Sequence, residues 1–181
     1  KNLVLYVGRI KRYKSIDHLL KAVNLIKNDI PVKLAIVGDG DALEDLKNLA
    51  QEMHLKVDFM GFVSEREKYE FYHRAKVVVQ PSIKEGWGLT ALEAQLCGTP
   101  VICADSPGLR ETLIDGKTGY LYEHGNIKEL AAKIKDILTD DKKWIRFSNS
   151  AIEWVKNFSW EYSAAMMEKI IIDVYDEQKE K

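Results

Sequence analysis

The sequence predicts a doubly wound α/β domain built on a parallel sheet. Two observations carry this expectation. Short apolar runs alternate along the chain with longer segments of helical periodicity, the pattern of repeated strand–helix units. The apolar runs, among them Leu3-Val4-Leu5-Tyr6-Val7 and Val77-Val78-Val79, lack strict in–out alternation, as strands covered by helices on both faces do. Size agrees: 181 residues with 46% hydrophobic content suffice for one well-cored domain.

Taken in order, the predicted strands are Leu3–Val7, Lys33–Val37, Lys56–Phe59, Val77–Gln80 and Pro100–Cys103, with a short one at Gly119–Tyr122. Helical patterns fall between and after them, at about Ser15–Lys27, Ala42–Met53, Glu65–His73, Leu89–Leu96 and Ile127–Leu138. In the first of these, Ile16, Leu19, Leu20, Val23, Leu25 and Ile26 lie mostly on one face. From about Asp141 the pattern is helical to the end, so residues 1–181 read as one domain with terminal helices over 141–181. Ser159 is a candidate N-cap for the last helix, with Glu161 in its first turn. Its stripe of Met167, Ile170, Ile171 and Val174 fits packing on this domain's own sheet, and equally docking on another domain. The chain starts directly in what reads as a central strand. The expectation is an excised domain whose amino-terminal partner is missing.

Charge and composition exclude several classes. The 27 basic and 28 acidic residues nearly cancel, to a net of −1, without the basic excess of a nucleic-acid footprint. Cys97 and Cys103 have no Cys/His framework around them and read as buried reduced thiols of a cytosolic protein. No apolar run approaches 18 residues, and no stretch reads as a signal peptide. His18, His54, His73 and His124 lie far apart, without metal-ligand spacing, and read as surface or helix-end residues.

The chemistry gathers where strands end. Gly8, Gly38 and Gly61 each follow a strand, and Pro81-Ser82 follows a fourth. In open parallel sheets, ligands lie in a crevice beyond the carboxyl ends of the strands. Glu85 and Glu93 flank Gly86-Trp87-Gly88-Leu89-Thr90-Ala91-Leu92, one in a loop and one about a turn inside a helix. The free N–H groups at that helix start suit an anion, and the two carboxylates suit hydroxyl groups. A phosphate flanked by sugar hydroxyls matches both. Arg9, Lys11, Arg12 and Lys14 put four cations after the first strand. Arg9 and Lys14 are the better placed to meet phosphate, Lys11 and Arg12 reading as solvated. Gly38-Asp39-Gly40-Asp41 reads as a turn and an N-cap rather than a cation site. Trp144, Trp154 and Trp160 read as packing residues.

Gly8-Arg9 with Lys14, Val37-Gly38-Asp39-Gly40, Gly61-Phe62-Val63, Pro81-Ser82, the two glutamates and Gly98-Thr99-Pro100-Val101 occur in a familiar order. Asp105-Ser106-Pro107-Gly108-Leu109-Arg110-Glu111 and Asp115-Gly116-Lys117-Thr118-Gly119 continue it. From about Leu3 to Gly125 the chain resembles the carboxy-terminal, Rossmann-like, nucleotide-sugar-binding domain of a GT-B glycosyltransferase. It is most similar to the retaining enzymes of glycosyltransferase family 4. The resemblance implies that Arg9, Lys14 and the backbone N–H groups of Leu89 and Thr90 hold the donor diphosphate. It implies Glu93 for the ribose hydroxyls, Glu85 as the catalytic residue orienting the donor sugar, and Gly61, Phe62 and Val63 for the base pocket. Gly38 would keep the crevice floor open, and Gly86 and Gly88 shape the loop. Ser15, where such enzymes often carry glycine, and Trp87, where phenylalanine is commoner, depart from the pattern without removing a charge.

The reaction implied by the resemblance moves a sugar from a nucleotide-diphosphate sugar, a UDP- or GDP-sugar, to a glycan, lipid or small-molecule acceptor. No metal or other cofactor is obligatory. The partner is a missing amino-terminal Rossmann-like domain, without which this domain is expected to bind nucleotide weakly and transfer nothing. The expected location is cytoplasmic; whether the protein attaches peripherally to the cytoplasmic membrane face is decided by that missing domain. Two other readings stand beside this one. A glycoside phosphorylase on the same fold would ignore nucleoside diphosphates. A non-catalytic α/β binding module would have no reason to collect cations and carboxylates on one sheet edge. A dinucleotide-dependent dehydrogenase fits less well, because no G-x-G-x-x-G follows the first strand.

Overall fold

The structure, a computed structural model, describes residues 2–179. Its centre is a parallel sheet of six strands: β1 (Leu3–Val7), β2 (Lys33–Val37), β3 (Val57–Gly61), β4 (Val77–Gln80), β5 (Val101–Ala104) and β6 (Gly119–Tyr122). Their order is β3-β2-β1-β4-β5-β6. The chain therefore starts in the middle, winds outward to β3, crosses back to β4 beside β1, and winds outward the other way. This is the doubly wound sheet expected from the sequence. Val4 pairs with Val77 and Leu5 with Val78 at the reversal.

Among the described residues, seven α-helices join and flank the strands: α1 (Ile16–Ile26), α2 (Leu43–Glu52), α3 (Glu65–Arg74), α4 (Leu89–Leu96), α5 (Ile127–Thr139), α6 (Asp141–Val155) and α7 (Trp160–Lys179). Helix α1 packs on α2 and α5, while α4 packs on α3 and α6. Covered on both faces, β4 and β5 are buried at every position, and so is β1 from Val4 onward. The continuous apolar runs of the sequence record this double coverage.

Departures from the expected boundaries have local causes. β3 lies at the sheet edge, and its Asp58 and Met60 are exposed while Val57 and Phe59 are half-buried. That strand alternates, unlike the central ones, and runs on to Gly61. β5 begins at Val101 rather than Pro100, because proline has no N–H for the ladder; the Pro100 carbonyl still accepts from the Val78 N–H at 3.1 Å. Helix starts follow capping chemistry. Ser64 and Glu67 form a reciprocal capping box on α3. Asn126 and Asp140 cap α5 and α6 through their side chains. Ser159 caps α7 as expected, accepting from the Tyr162 N–H at 3.1 Å. Asp41 does not cap α2: its carboxylate is turned to Lys11, and Ala42 takes the N-cap position without a side-chain bond.

The last helix resolves one open choice. Met167, Ile170, Ile171 and Val174 are all exposed, so the stripe does not pack on this domain's own sheet. Trp160 is 86% exposed, whereas the indoles of Trp144 and Trp154 are half-buried and donate to the carbonyls of Lys76 and Thr112. Cys103 is buried, and burial pushes its thiol up to about 12; Cys97, expected to be buried too, is only half-buried. Among the described residues no helix is long and apolar enough to cross a membrane.

Close backbone approach holds the carboxyl edge together. A Cβ built on Gly38, at φ +130°, would sit 1.9 Å from the carbonyl oxygen of Gly8. Gly38 thus lets the loop after β2 seat on the loop after β1. A Cβ on Gly61, at φ +66°, would meet nothing within 4 Å. Gly38→Ala is accordingly expected to destabilise the fold by about 2–4 kcal/mol. Gly61→Ala, with only its backbone conformation to resist, should cost about 1–2 kcal/mol. Urea titration of both variants checks the ordering.

Candidate functional site

The loops after β1 and β4 leave adjacent strands, so Lys14 of one meets the carboxylate Glu85 of the other. After β1 the chain makes a 3-10 turn at Arg12–Lys14 and enters α1 through Ser15. The Lys14 Nζ donates to Glu85 Oε1 at 2.5 Å, with the two side chains 10% and 15% exposed. The Ser82 hydroxyl donates to the same oxygen at 2.6 Å. Oε2 of Glu85 accepts from no described residue. A pair so far removed from water interacts strongly, and its geometry must be held by the surrounding backbone.

The loop after β5 supplies that hold. The Glu85 N–H donates to the Pro107 carbonyl at 3.0 Å, and the Ser106 hydroxyl donates to the Ser82 carbonyl at 2.8 Å. A Cβ on Gly108, at φ +78°, would lie 2.2 Å from the Glu85 carbonyl oxygen. In the sequence Asp105–Glu111 stands out only through the family resemblance; its physical role is to buttress Glu85. Gly86 needs no such freedom, since a Cβ there would meet nothing within 4 Å. On its outer side Trp87 packs edge-on against Phe158, which packs in turn against Trp154.

Helix α4 opens on this loop without a cap. Its N-cap is Gly88, at φ 65°, with no side chain to satisfy the helix start. The Ala91 N–H turns to the Gly88 carbonyl at 2.9 Å, but the N–H groups of Leu89 and Thr90 have no acceptor among the described residues. Two orphan donors and the positive end of the helix dipole favour an anion there.

Glu93, one turn further in, belongs to a different cluster. It accepts from the Tyr72 hydroxyl at 2.9 Å and pairs with Lys68 at 3.1 Å, both on α3. Burial, then the Glu93 charge, raises the Tyr72 pKa, so this phenol stays a donor. Burial lowers the Lys68 pKa, but bonds to Glu65 and Glu93 outweigh it and the net shift is upward. Each carboxylate oxygen has one described partner here and can accept again. The sequence does not single out Lys68 or Tyr72, since nothing in it marks their contact with a residue more than 20 positions away.

The remaining predicted positions divide. Arg9 is exposed and has no ion-pair partner among the described residues; its carbonyl accepts from the Tyr6 hydroxyl at 2.9 Å. Lys11 and Arg12 are paired rather than merely solvated, to Asp41 at 2.8 Å and Asp45 at 3.3 Å. Gly61 ends β3, Phe62 beyond it is 90% exposed, and Val63 packs partly on the core. His18 and His124, distant in sequence, lie ring against ring at a 51° tilt, with centroids 4.7 Å apart. Both are half-buried rather than surface residues; His18 keeps the helix-end position read from the sequence, in the first turn of α1, while His124 lies in the loop before α5. No group of three or more His, Cys, Asp or Glu among the described residues could hold a metal.

The chain has relatives among known proteins. Residues 1–154 match the family model described as Glycosyl transferases group 1. The D-inositol 3-phosphate glycosyltransferase of Corynebacterium aurimucosum is 32% identical over 180 residues, covering 94% of this chain and 43% of that protein. Among solved structures, sucrose-phosphate synthase from Thermosynechococcus elongatus superposes with a TM-score of 0.84 at 33% identity. The match covers 97% of this chain and 46% of that one. S. aureus TarM, crystallised as a mutant with Fondaparinux, alpha-GlcNAc-glycerol and UDP, superposes with a TM-score of 0.84 at 26% identity. That match covers 94% of this chain and 35% of the other. The chain thus spans less than half the length of these relatives.

The Lys14–Glu85 pair is open to a direct test of its strength. Lys14→Met and Glu85→Gln are each expected to destabilise by about 1–3 kcal/mol, because each leaves a poorly hydrated charge without its partner. The double variant should cost less than the sum, with a coupling of about 1–2 kcal/mol in a denaturation double-mutant cycle.

Proposed function

The chain belongs to the Glycosyl transferases group 1 family, and from that premise we propose that it is the donor half of a retaining GT-B glycosyltransferase of family 4. The observation that carries this reading is the meeting of Lys14, Glu85 and the uncapped start of α4 at one sheet edge. Arg9, Lys14 and the N–H groups of Leu89 and Thr90 bind the donor diphosphate. Glu93 accepts the ribose hydroxyls, oriented by Lys68 and Tyr72. The exposed Phe62, with Gly61 and Val63, forms the base pocket. Glu85 receives the sugar hydroxyls on its open oxygen, and Lys14 shares its charge between Glu85 and the phosphate.

In this reading the bond broken is that between the donor sugar and the diphosphate, with retained configuration at the sugar. The leaving diphosphate gains negative charge as it departs. Donors fixed in advance stabilise that charge without reorganising, which is the largest contribution a site of this kind can make. No metal is needed, because two cations and a helix start supply the compensating charge. UDP in the TarM crystal favours a UDP-sugar as donor. The acceptor site and the rest of the catalytic surface belong to an amino-terminal Rossmann-like domain outside this chain. That domain also decides membrane attachment, in an enzyme we place in the cytoplasm.

Isothermal titration of this chain with UDP, GDP and ADP tests the proposal. UDP is expected to bind weakly but in preference to the other two. Lys14→Ala and Glu93→Ala should each weaken it by about tenfold, the scale of removing one charge-assisted hydrogen bond. Equal indifference to all three diphosphates, with inorganic phosphate bound instead, would move the chain to the phosphorylases. Sugar transfer by the isolated chain would sink the proposed dependence on a second domain.

A further inference from the structure

Ser15 follows Lys14 directly and adopts φ 50°, ψ 38°, the left-handed conformation that is costly for any residue with a Cβ. It stands at the N-cap of α1, yet its hydroxyl does not cap that helix. The hydroxyl is instead bonded to His124 Nε2 at 3.0 Å, across 109 residues of sequence. His124 lies between β6 and α5, in a loop fixed by the Asn126 cap. Its ring lies against that of His18, tilted at 51°, and the His18 backbone N–H donates to the Ser15 carbonyl at 3.0 Å in the first turn of α1. The left-handed residue is therefore tied through its hydroxyl to His124, while its carbonyl opens the first turn of α1. The turn it closes, with Lys14 N–H to Lys11 carbonyl and Ser15 N–H to Arg12 carbonyl, is the one that aims the Lys14 ammonium at Glu85.

We infer that His124 is a positioning residue for the donor site: through Ser15 it holds the left-handed turn that directs Lys14 toward the phosphate. Its effect on ligand affinity rests on the reading of Lys14 as a diphosphate-binding cation; its effect on the turn does not. A variant that lets residue 15 leave the left-handed conformation should free Lys14 to swing away from the crevice. A glycine at position 15 takes the left-handed conformation unaided, so it should make the histidine dispensable.

The test compares the native chain with His124→Ala, Ser15→Gly and the double variant. UDP affinity is read by calorimetry, amide exchange of Lys14 and Ser15 by NMR without ligand, and thermal melting as the control for folding. His124→Ala is expected to weaken UDP roughly five- to tenfold, the scale of one net hydrogen bond. Exchange at Lys14 and Ser15 should accelerate about tenfold, as in a local opening, with core amides unchanged. Ser15→Gly should bind as the native chain does, and the double variant should recover both readouts. Unchanged affinity and exchange in His124→Ala would overturn the inference. So would a double variant that stays as impaired as His124→Ala, since the histidine would then act otherwise than through Ser15. Absence of UDP binding by the native chain would count against the donor-site reading alone, and the exchange comparison would still decide the positioning role.

Discussion

The parallel pairing of β1 with β4 is the constraint on which the rest of this molecule depends. Val4 lies against Val77 and Leu5 against Val78, although about seventy residues of chain separate them. Once these strands are neighbours, the loops that leave their carboxyl ends must share one edge. Residues 8–15 and 81–88 are then close without either loop being long. The direction of winding reverses here as well, so the helices on the two sides diverge and leave a crevice between the loops.

Within that crevice the polar groups are held by backbone more than by side chains. Gly38 admits the loop after β2 against Gly8, and Gly108 admits the loop after β5 against Glu85. The result is a cation and a carboxylate largely excluded from water, beside a helix start with free donors. Low hydration strengthens every charge interaction there, and equally penalises any group left alone. Without ligand, Lys14 and Glu85 satisfy one another. A diphosphate would not find an unpaired lysine but would take a share of one already in place.

The carboxy-terminal region differs in character. α6 packs on α4 and α5 and carries Trp144 and Trp154 into hydrogen-bonded, half-buried positions. α7 leaves this body, and its apolar residues stay exposed. The link to the site is Trp87, whose ring meets Phe158 just before α7 begins. Loop and terminal segment therefore share an aromatic contact.

Element types were legible in the sequence because periodicity is a local property. The apolar runs of β1 and β4, the α1 stripe and the cap at Ser159 all sit within a few residues of what they determine. The candidate site residues stand in two local groups, Glu85, Gly88 and Glu93 in one segment and Arg9 and Lys14 in another, but their roles are what the family resemblance implies. The edge strand β3 extends two residues beyond its expected end, because partial coverage replaces a continuous run by alternation. What only the tertiary structure decided is which groups meet: Lys14 with Glu85, Glu93 with Tyr72 and Lys68, Ser15 with His124, Glu85 with the loop of Gly108. Such pairs join residues that the winding of the sheet and the packing of its helices bring together. A pairing made across the fold leaves no spacing in the chain by which to find it.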